Sequence, residues 1–154
     1  MNYEIRKVEK RDYPSLFKIE EVSFLSPWTN EEFISEITNN PYANVYVLEV
    51  FDSCHNAIVG FYDYWVTFDS ATIAQIAILP SFRRHGYASI MLKEILDDCY
   101  AKHVSNITLE VREHNIAAIK LYEKFGFKVE TIKEHYYTNG DNALYMVKKV
   151  NLNG

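Results

Sequence analysis

Two residues in the second half of the chain have the chemistry of a proton-transfer pair. Glu110 lies between Leu109 and Val111 in an alternating segment, where a carboxylate is costly unless it is used or paired. Tyr122 lies on a segment with helical spacing, and a phenol can donate a proton to a departing group. The alternatives are an exposed position or an ion pair with Arg112 for Glu110, and a core tyrosine for Tyr122. The residue types are therefore compatible with acid–base chemistry, but alone they assign neither role.

A basic loop with a single glycine lies between an apolar segment, 71–79, and a segment of helical spacing, 88–99. Pro80 ends the first segment, which is typical of a buried strand. A helix N-terminus offers unpaired N–H groups and the positive end of a dipole, and Gly86 leaves the backbone open to an anion. The pattern favours a phosphate or pyrophosphate cradle, with a purely structural turn as the alternative. Beside Gly86 the positive charge would come from Arg83, Arg84 and His85, and Tyr87, Ala88 and Ser89 follow at the start of the helix. The Walker and dinucleotide-binding glycine patterns are both absent.

Three motifs in order give the chain a family resemblance. The loop Arg83-Arg84-His85-Gly86-Tyr87-Ala88 matches the signature [QR]-x-x-G-x-[GA], with alanine at a position where many relatives have glycine. Leu109-Glu110-Val111-Arg112 with Asn115, and then the segment 121–127, match the family's second half. On these motifs the sequence resembles the GNAT N-acetyltransferases over about Tyr3 to Val150. It looks most like the RimI branch, which acetylates the N-terminal alanine of a ribosomal protein.

The resemblance implies how acetyl-CoA would be bound. The pantetheine arm would lie in a V-shaped splay between the strand ending at Leu79 and the strand 105–112, bonded to the backbone of Ile76, Ala77 and Ile78. The pyrophosphate would lie on the loop 84–89. Asn115 would contact the cofactor, cap its own helix, or do both.

The resemblance also assigns roles at the reacting end. Glu110 would be the general base and Tyr122 the general acid. Trp28, Tyr136 and Tyr137 would wall a slot for the N-terminus of a peptide, although loop packing explains them equally well.

The elements that position these residues follow from periodicity and turn chemistry. The predicted order is βααβββαβαββ, which gives a mixed central sheet with helices on both faces in one three-layer α/β domain spanning 1–154. The resemblance implies the same GNAT fold. Asp12 is a plausible N-cap, Thr29 and Glu32 form a capping box, and Gly126 suits the left-handed position after a helix. The predicted strands are 3–8, 44–51, 57–68, 71–79, 105–112, 127–137 and 142–150.

Composition narrows the classes of function. The net charge of -5 argues against general nucleic-acid binding and is compatible with a basic peptide partner. The histidines show no metal-ligand spacing, so we expect no metal, and Cys99 lies on an apolar helix stripe and is expected in the core. Without a signal peptide or an apolar stretch of membrane-spanning length, the expected location is the cytoplasm, with no membrane partner.

Three functions remain for comparison. The leading one is acetylation of a protein N-terminus with acetyl-CoA, most of all the terminal alanine of a ribosomal protein. The first alternative is a GNAT enzyme acting on a small amine or a lysine side chain, which would need a deeper and more acidic pocket. The second is a non-catalytic acyl-CoA-binding or partner-binding module, against which Glu110 and Tyr122 both argue. The sequence leaves the oligomeric state open.

Overall fold

A seven-stranded mixed sheet forms the centre of the computed structural model, which describes residues 2–150. The strands are β1 (Asn2–Lys7), β2 (Ala43–Phe51), β3 (Asn56–Thr67), β4 (Ser70–Ile78), β5 (Asn106–Arg112), β6 (Lys128–Lys133) and β7 (Ala143–Lys149). In the sheet they follow the order β1-β2-β3-β4-β5-β7-β6. The helices are α1 (Tyr13–Ser23), α2 (Asn30–Asn39), α3 (Tyr87–Ala101) and α4 (Ile116–Lys124). Two 3₁₀ turns, Lys10–Asp12 and Pro80–Phe82, precede α1 and the glycine loop. The predicted order of strands and helices is confirmed, whereas Met1 and residues 151–154 of the predicted domain lie outside the described residues.

Strands β4 and β5 are parallel and separate partway along their length. They pair over Ser70–Ile73 and Asn106–Leu109, and no pairing continues beyond that point. On its other side β4 stays paired with β3 up to Ile78, with a register shift that leaves Ala74 as an extra residue. A bulge of this kind bends a strand and increases its twist. The result is a splay in which one backbone edge of 74–78 faces no neighbouring strand, as the family resemblance implied.

The two faces of the sheet are covered by different helices. Helix α3 packs on one face through five buried side chains, and helices α1 and α2 cover the other face through Leu16, Ile19 and Phe33. The ring of Phe33 lies edge-on to Phe61 of β3 at 5.2 Å. This arrangement is the predicted three-layer architecture. The five residues of α3 are Met91, Leu92, Ile95, Leu96 and Cys99, so the expected core position of Cys99 is confirmed.

Most of the predicted local signals are present, with one correction. The Thr29–Glu32 capping box forms with two bonds of 3.1 Å, and Asn115 caps α4 by accepting from the amide of Ala118 at 3.3 Å. Gly126 has the predicted positive φ, 96°. Asp12 precedes α1, but its side chain makes no capping bond to that helix. Its carboxylate instead accepts two bonds from Arg6, at 2.8 and 2.9 Å, and these bonds lower the pKa of Asp12.

The predicted strand 127–137 is wrong at its C-terminal end, because β6 ends at Lys133. His135 has a φ of 52°, a left-handed conformation that a strand cannot contain. Tyr136 and Tyr137 consequently lie in the loop between β6 and β7 (the β6–β7 loop, 134–142). Within residues 2–150 there is no helix with the length and apolar character needed to cross a membrane.

Candidate active site

A cavity of about 640 Å³, the large cavity, opens where β4 leaves β5. It lies between the end of α1, the bulged part of β4, strand β5 and the β6–β7 loop. Across its rim the hydroxyls of Ser26 and Thr138 are 3.3 Å apart, so the α1–α2 loop (24–29) touches the β6–β7 loop. The cavity brings together six of the residues predicted from the sequence, namely Trp28, Ile76, Glu110, Tyr122, Tyr136 and Tyr137.

Glu110 lies on the opposite face of β5 from the buried side chains of Leu109 and Val111. Its Oε1 atom is 2.6 Å from the Nζ atom of Lys133. An ion pair was one alternative for this residue, but the predicted partner was Arg112, whose Nε atom lies 3.1 Å from Asp141 instead.

The Glu110 carboxylate also acts on the two tyrosines of the β6–β7 loop. Two effects raise the pKa of Tyr136: a hydrogen bond to Glu110, which is the larger, and burial. Two effects also raise the pKa of Tyr137: burial, which is the larger, and the negative charge of Glu110. The cavity therefore holds a carboxylate that can accept a proton, next to hydroxyls that stay protonated at neutral pH.

Tyr122 is a buried residue of α4 whose ring lies edge-on to Phe127, with 5.9 Å between the ring centroids. Its burial raises the pKa of the phenol well above the usual range. Burial is the sole cause of this rise, and within residues 2–150 no hydrogen bond to the phenol contributes to it. A phenol with these properties is protonated at neutral pH and free to donate.

A second space, the apolar channel, has a volume of about 270 Å³ and continues from the large cavity. Four residues line both spaces: Ser23, Phe24, Ile76 and Tyr122. The other lining residues include five predicted to contact the cofactor, which are Ala77, Ile78, Arg83, Ala88 and Asn115. An apolar channel beside an unpaired strand edge fits a thin chain that carries amide groups, such as pantetheine.

The glycine loop lies at the N-terminus of the 15-residue helix α3. Gly86 has a φ of 81°, and a Cβ atom there would meet nothing within 4 Å. Open space and unpaired helix N–H groups are what a pyrophosphate requires. Arg84 also has a positive φ, 66°. Arg83 donates from Nε to the carbonyl of Ile78 at 3.0 Å, which holds its side chain against the end of β4.

Three further residues of the predicted cofactor site, His85, Tyr87 and Ser89, lie in the glycine loop or directly after it. His85 is exposed, with Nδ1 3.1 Å from the carbonyl oxygen of Phe82. Tyr87 and Ser89 lie in the first turn of α3 and are partly buried. Seven of the twelve predicted cofactor residues therefore line the apolar channel, and the other five lie in the glycine loop and the first turn of α3.

Sequence reasoning missed two polar residues near the large cavity: Gln75, which lines it, and Glu20, which is hydrogen-bonded to two of the lining residues. Glu20 is 1% exposed and lies among the apolar positions of α1, where helical spacing predicts a core residue. Gln75 follows the bulge in β4 and lines the large cavity. Neither belongs to a motif, and only the tertiary arrangement brings them together.

The spacing of histidines in the sequence also did not reveal one group of possible metal ligands. Glu113, His114 and Asp141 each place one ligand atom within 4.8 Å of the others. Asn142 donates to both oxygens of Glu113, at 3.2 and 3.1 Å, and Arg112 pairs with Asp141. These contacts connect the end of β5 to the start of β7 without an ion, and the absence of a metal stays a prediction.

Comparisons with known proteins agree with this geometry. The sequence profile of the Acetyltransferase (GNAT) family matches residues 4–127. A Bacillus subtilis (strain 168) protein, named provisionally as a ribosomal protein bS18-alanine N-acetyltransferase, is 34% identical over 148 residues, which cover 96% of this chain and 95% of that protein. The ribosomal protein bS18-alanine N-acetyltransferase of Escherichia coli (strain K12) is 31% identical over 137 residues, covering 89% and 88% of the two chains.

Solved structures show the same likeness. The crystal structure of the ribosomal-protein-S18-alanine N-acetyltransferase from Escherichia coli has a TM-score of 0.86 at 29% identity, covering 99% of this chain and 97% of its own. A chain of the NatC complex bound to Gag peptide and CoA also reaches 0.86, at 20% identity, covering 98% of this chain and 100% of its own. The second likeness concerns the fold alone.

Proposed function

The chain belongs to the GNAT acetyltransferase family and is an acetyl-CoA-dependent N-acetyltransferase, and we propose that its acceptor is the N-terminal alanine of a ribosomal protein. The observation that carries the proposal is the near full-length similarity to proteins named for that activity, at 31–34% identity. The large cavity supports it, since Trp28 and the two tyrosines form walls that suit the end of a peptide chain. The net charge of -5 suits a basic acceptor protein as well.

The proposed reaction begins with removal of a proton from the acceptor. A free α-amine has a pKa of roughly 7.7–8.0, so most of it is protonated and not nucleophilic near pH 7. Glu110 takes that proton, directly or through one water molecule. Since Lys133 already shares the carboxylate at 2.6 Å, the entering ammonium group competes with Lys133 for it.

The freed amine then attacks the thioester carbonyl of acetyl-CoA, and a carbon–nitrogen bond forms as the carbon–sulfur bond breaks. The carbonyl oxygen becomes negative, and a backbone N–H on the open edge of Ile76–Ile78 stabilises it. Tyr122 donates its proton to the departing thiolate. The raised pKa of Tyr122 keeps that proton in place at neutral pH until the thiolate forms beside it.

A screen of synthetic peptide N-termini with acetyl-CoA tests the acceptor. We expect a peptide that begins with alanine to be acetylated at its α-amine, located by tandem mass spectrometry, and a lysine in the same peptide to stay unmodified. The control is the same peptide with a blocked N-terminus. Acetylation of that control on lysine, or of small amines only, would overturn the proposal, and no turnover with any amine would favour a non-catalytic module.

Two near-isosteric variants test the proposed roles. Glu110→Gln and Tyr122→Phe should fold, bind acetyl-CoA and lose about 10²- to 10⁴-fold in kcat, the usual contribution of a general base or acid. Higher pH should partly restore Glu110→Gln, because the amine then loses its proton unaided, but it should not restore Tyr122→Phe. A near-wild-type kcat for Glu110→Gln at neutral pH, with chemistry rate-limiting, would place the base elsewhere.

A further inference from the structure

Glu20 connects three elements that surround the large cavity. It lies on α1 and is 1% exposed. One oxygen, Oε2, accepts from the backbone amide of Trp28 at 3.1 Å and from the side-chain amide of Gln75 at 3.0 Å. Trp28 belongs to the α1–α2 loop and Gln75 to β4, and both line the large cavity. A single buried atom thus links the two walls.

The same region contains buried acceptor atoms without donors. Within residues 2–150, Oε1 of Glu20, Oε1 of Gln75 and the hydroxyl of Ser23 are buried and make no hydrogen bond. Buried polar atoms are nearly always paired, and a buried carboxylate is among the most costly groups to place. Burial raises the pKa of Glu20 despite its two hydrogen bonds, which reflects that cost. A fold that needed only a well-packed helix would gain by an apolar residue at this position.

The position of Gln75 explains what the arrangement provides. It follows the Ala74 bulge, at the point where β4 has lost β5 as a neighbour, so backbone pairing fixes it on one side only. Trp28 has an equally limited anchor, since its ring lies edge-on to Phe33 at 5.5 Å and its backbone lies in a loop. Without Glu20 the two residues would be free to move independently.

We propose that Glu20 is a positioning residue: it holds Trp28 and Gln75 at a fixed separation across the large cavity and thereby positions the acceptor. The inference rests on the proposed function, because it assumes that the acceptor enters this cavity. Glu20 touches neither the acceptor nor acetyl-CoA, and it acts through the two residues that it binds. The apolar channel and the glycine loop contain neither of those two residues, so binding of acetyl-CoA is independent of Glu20.

The test compares three variants in steady-state kinetics with the alanine peptide. Glu20→Leu removes the acceptor atom and should raise the peptide KM about tenfold, the scale of one hydrogen bond to a charged group, with the KM for acetyl-CoA unchanged. Glu20→Gln keeps a carbonyl oxygen for the two donors and adds an N–H for an unpaired acceptor, so it should restore the wild-type KM. Leu16→Ala is the matched control, since it destabilises the same helix from a fully buried position and removes no hydrogen bond to Trp28 or Gln75.

Amide hydrogen exchange adds a readout that does not depend on the acceptor. The amide of Trp28 should exchange faster in Glu20→Leu than in Leu16→Ala once both rates are corrected for global stability. Equal peptide KM values in Glu20→Leu and Leu16→Ala, a matching rise in the KM for acetyl-CoA, or failure of Glu20→Gln to restore the wild-type KM would each overturn the proposal. If the wild type acetylates only small amines, the proposed function fails first, and the same KM comparison is then made with that amine.

Discussion

Replacement of Asp63 by asparagine should make the protein more stable at alkaline pH. Asp63 lies on β3 opposite Gln75 of β4, is 0% exposed, and faces Glu36 of α2. Burial, together with Glu36, raises the pKa of Asp63 to about 9. Burial acts to raise the pKa of Glu36 as well, but hydrogen bonds from Asp63, Asn40 and Trp65 outweigh it and lower that pKa. The pair therefore holds one proton on Asp63 at neutral pH.

The sign and size of the effect follow from proton linkage. In the unfolded chain an aspartate loses its proton near pH 4, whereas the folded protein keeps the proton on Asp63 up to about pH 9. Between these values the folded state binds one more proton, so its stability falls as pH rises, by about 1.4 kcal/mol per pH unit. From pH 5 to pH 8 the loss is about 4 kcal/mol, or about 8–16 °C in Tm for a chain of this size.

Chemical unfolding at pH 5 and pH 8 measures the effect. Asp63→Asn keeps an N–H donor for Glu36 and has no proton to lose, so its free energy of unfolding should change with pH by about 4 kcal/mol less than that of the wild type. Glu20, whose pKa is also raised by burial, is present in both proteins and cancels in the difference. Asp69→Asn, at an exposed turn position, is the control and should match the wild type. Equal pH dependence in the wild type and Asp63→Asn would refute the assignment of a shared proton.

Two further predictions concern the two substrates. Acetyl-CoA should raise the Tm of the wild type by mass action. Gly86→Glu should abolish that shift, because it forces a side chain into a backbone with φ 81° and adds a negative charge where the pyrophosphate is expected. An unchanged wild-type melting curve at millimolar acetyl-CoA would contradict the predicted pyrophosphate cradle. Trp28→Ala and Tyr137→Ala should each raise the peptide KM severalfold and leave the KM for acetyl-CoA unchanged, and a change in kcat alone would contradict their assignment as walls of the acceptor slot.

Local chemistry made much of the fold predictable. The Thr29–Glu32 capping box and the positive φ of Gly126 depend only on neighbouring residues, and both are present. The end of β6 was missed because Tyr136 and Tyr137 are residue types that favour strands, while the left-handed conformation of His135 has no strong signal in a residue other than glycine. Asp12 was assigned to a cap because its partner, Arg6, lies on a neighbouring strand that spacing along the helix cannot identify.

The candidate site was predictable where a motif marks it and unpredictable where strands separate. Glu110 and Tyr122 belong to ordered motifs, and the structure places both on the large cavity. The bulge at Ala74 depends on how β3 and β4 pair, and no residue type in the sequence requires it. Gln75 and Glu20 gain their positions only from that bulge and from the packing of α1, so periodicity alone could not connect them with the site.

The junction of the two spaces bears on which residue acts as the general base and which as the general acid in acetyl transfer. In the proposed reaction the amine enters through the large cavity and the pantetheine arm lies in the apolar channel, so the thioester carbon is expected where the two spaces meet. Tyr122 lines both spaces, whereas Glu110 lines the large cavity alone. In that arrangement Glu110 lies on the side of the incoming amine, and Tyr122 lies at the junction, where the sulfur is expected. Because the amine must lose a proton and the thiolate must gain one, this asymmetry supports Glu110 as the base and Tyr122 as the acid, and it argues against the reverse assignment.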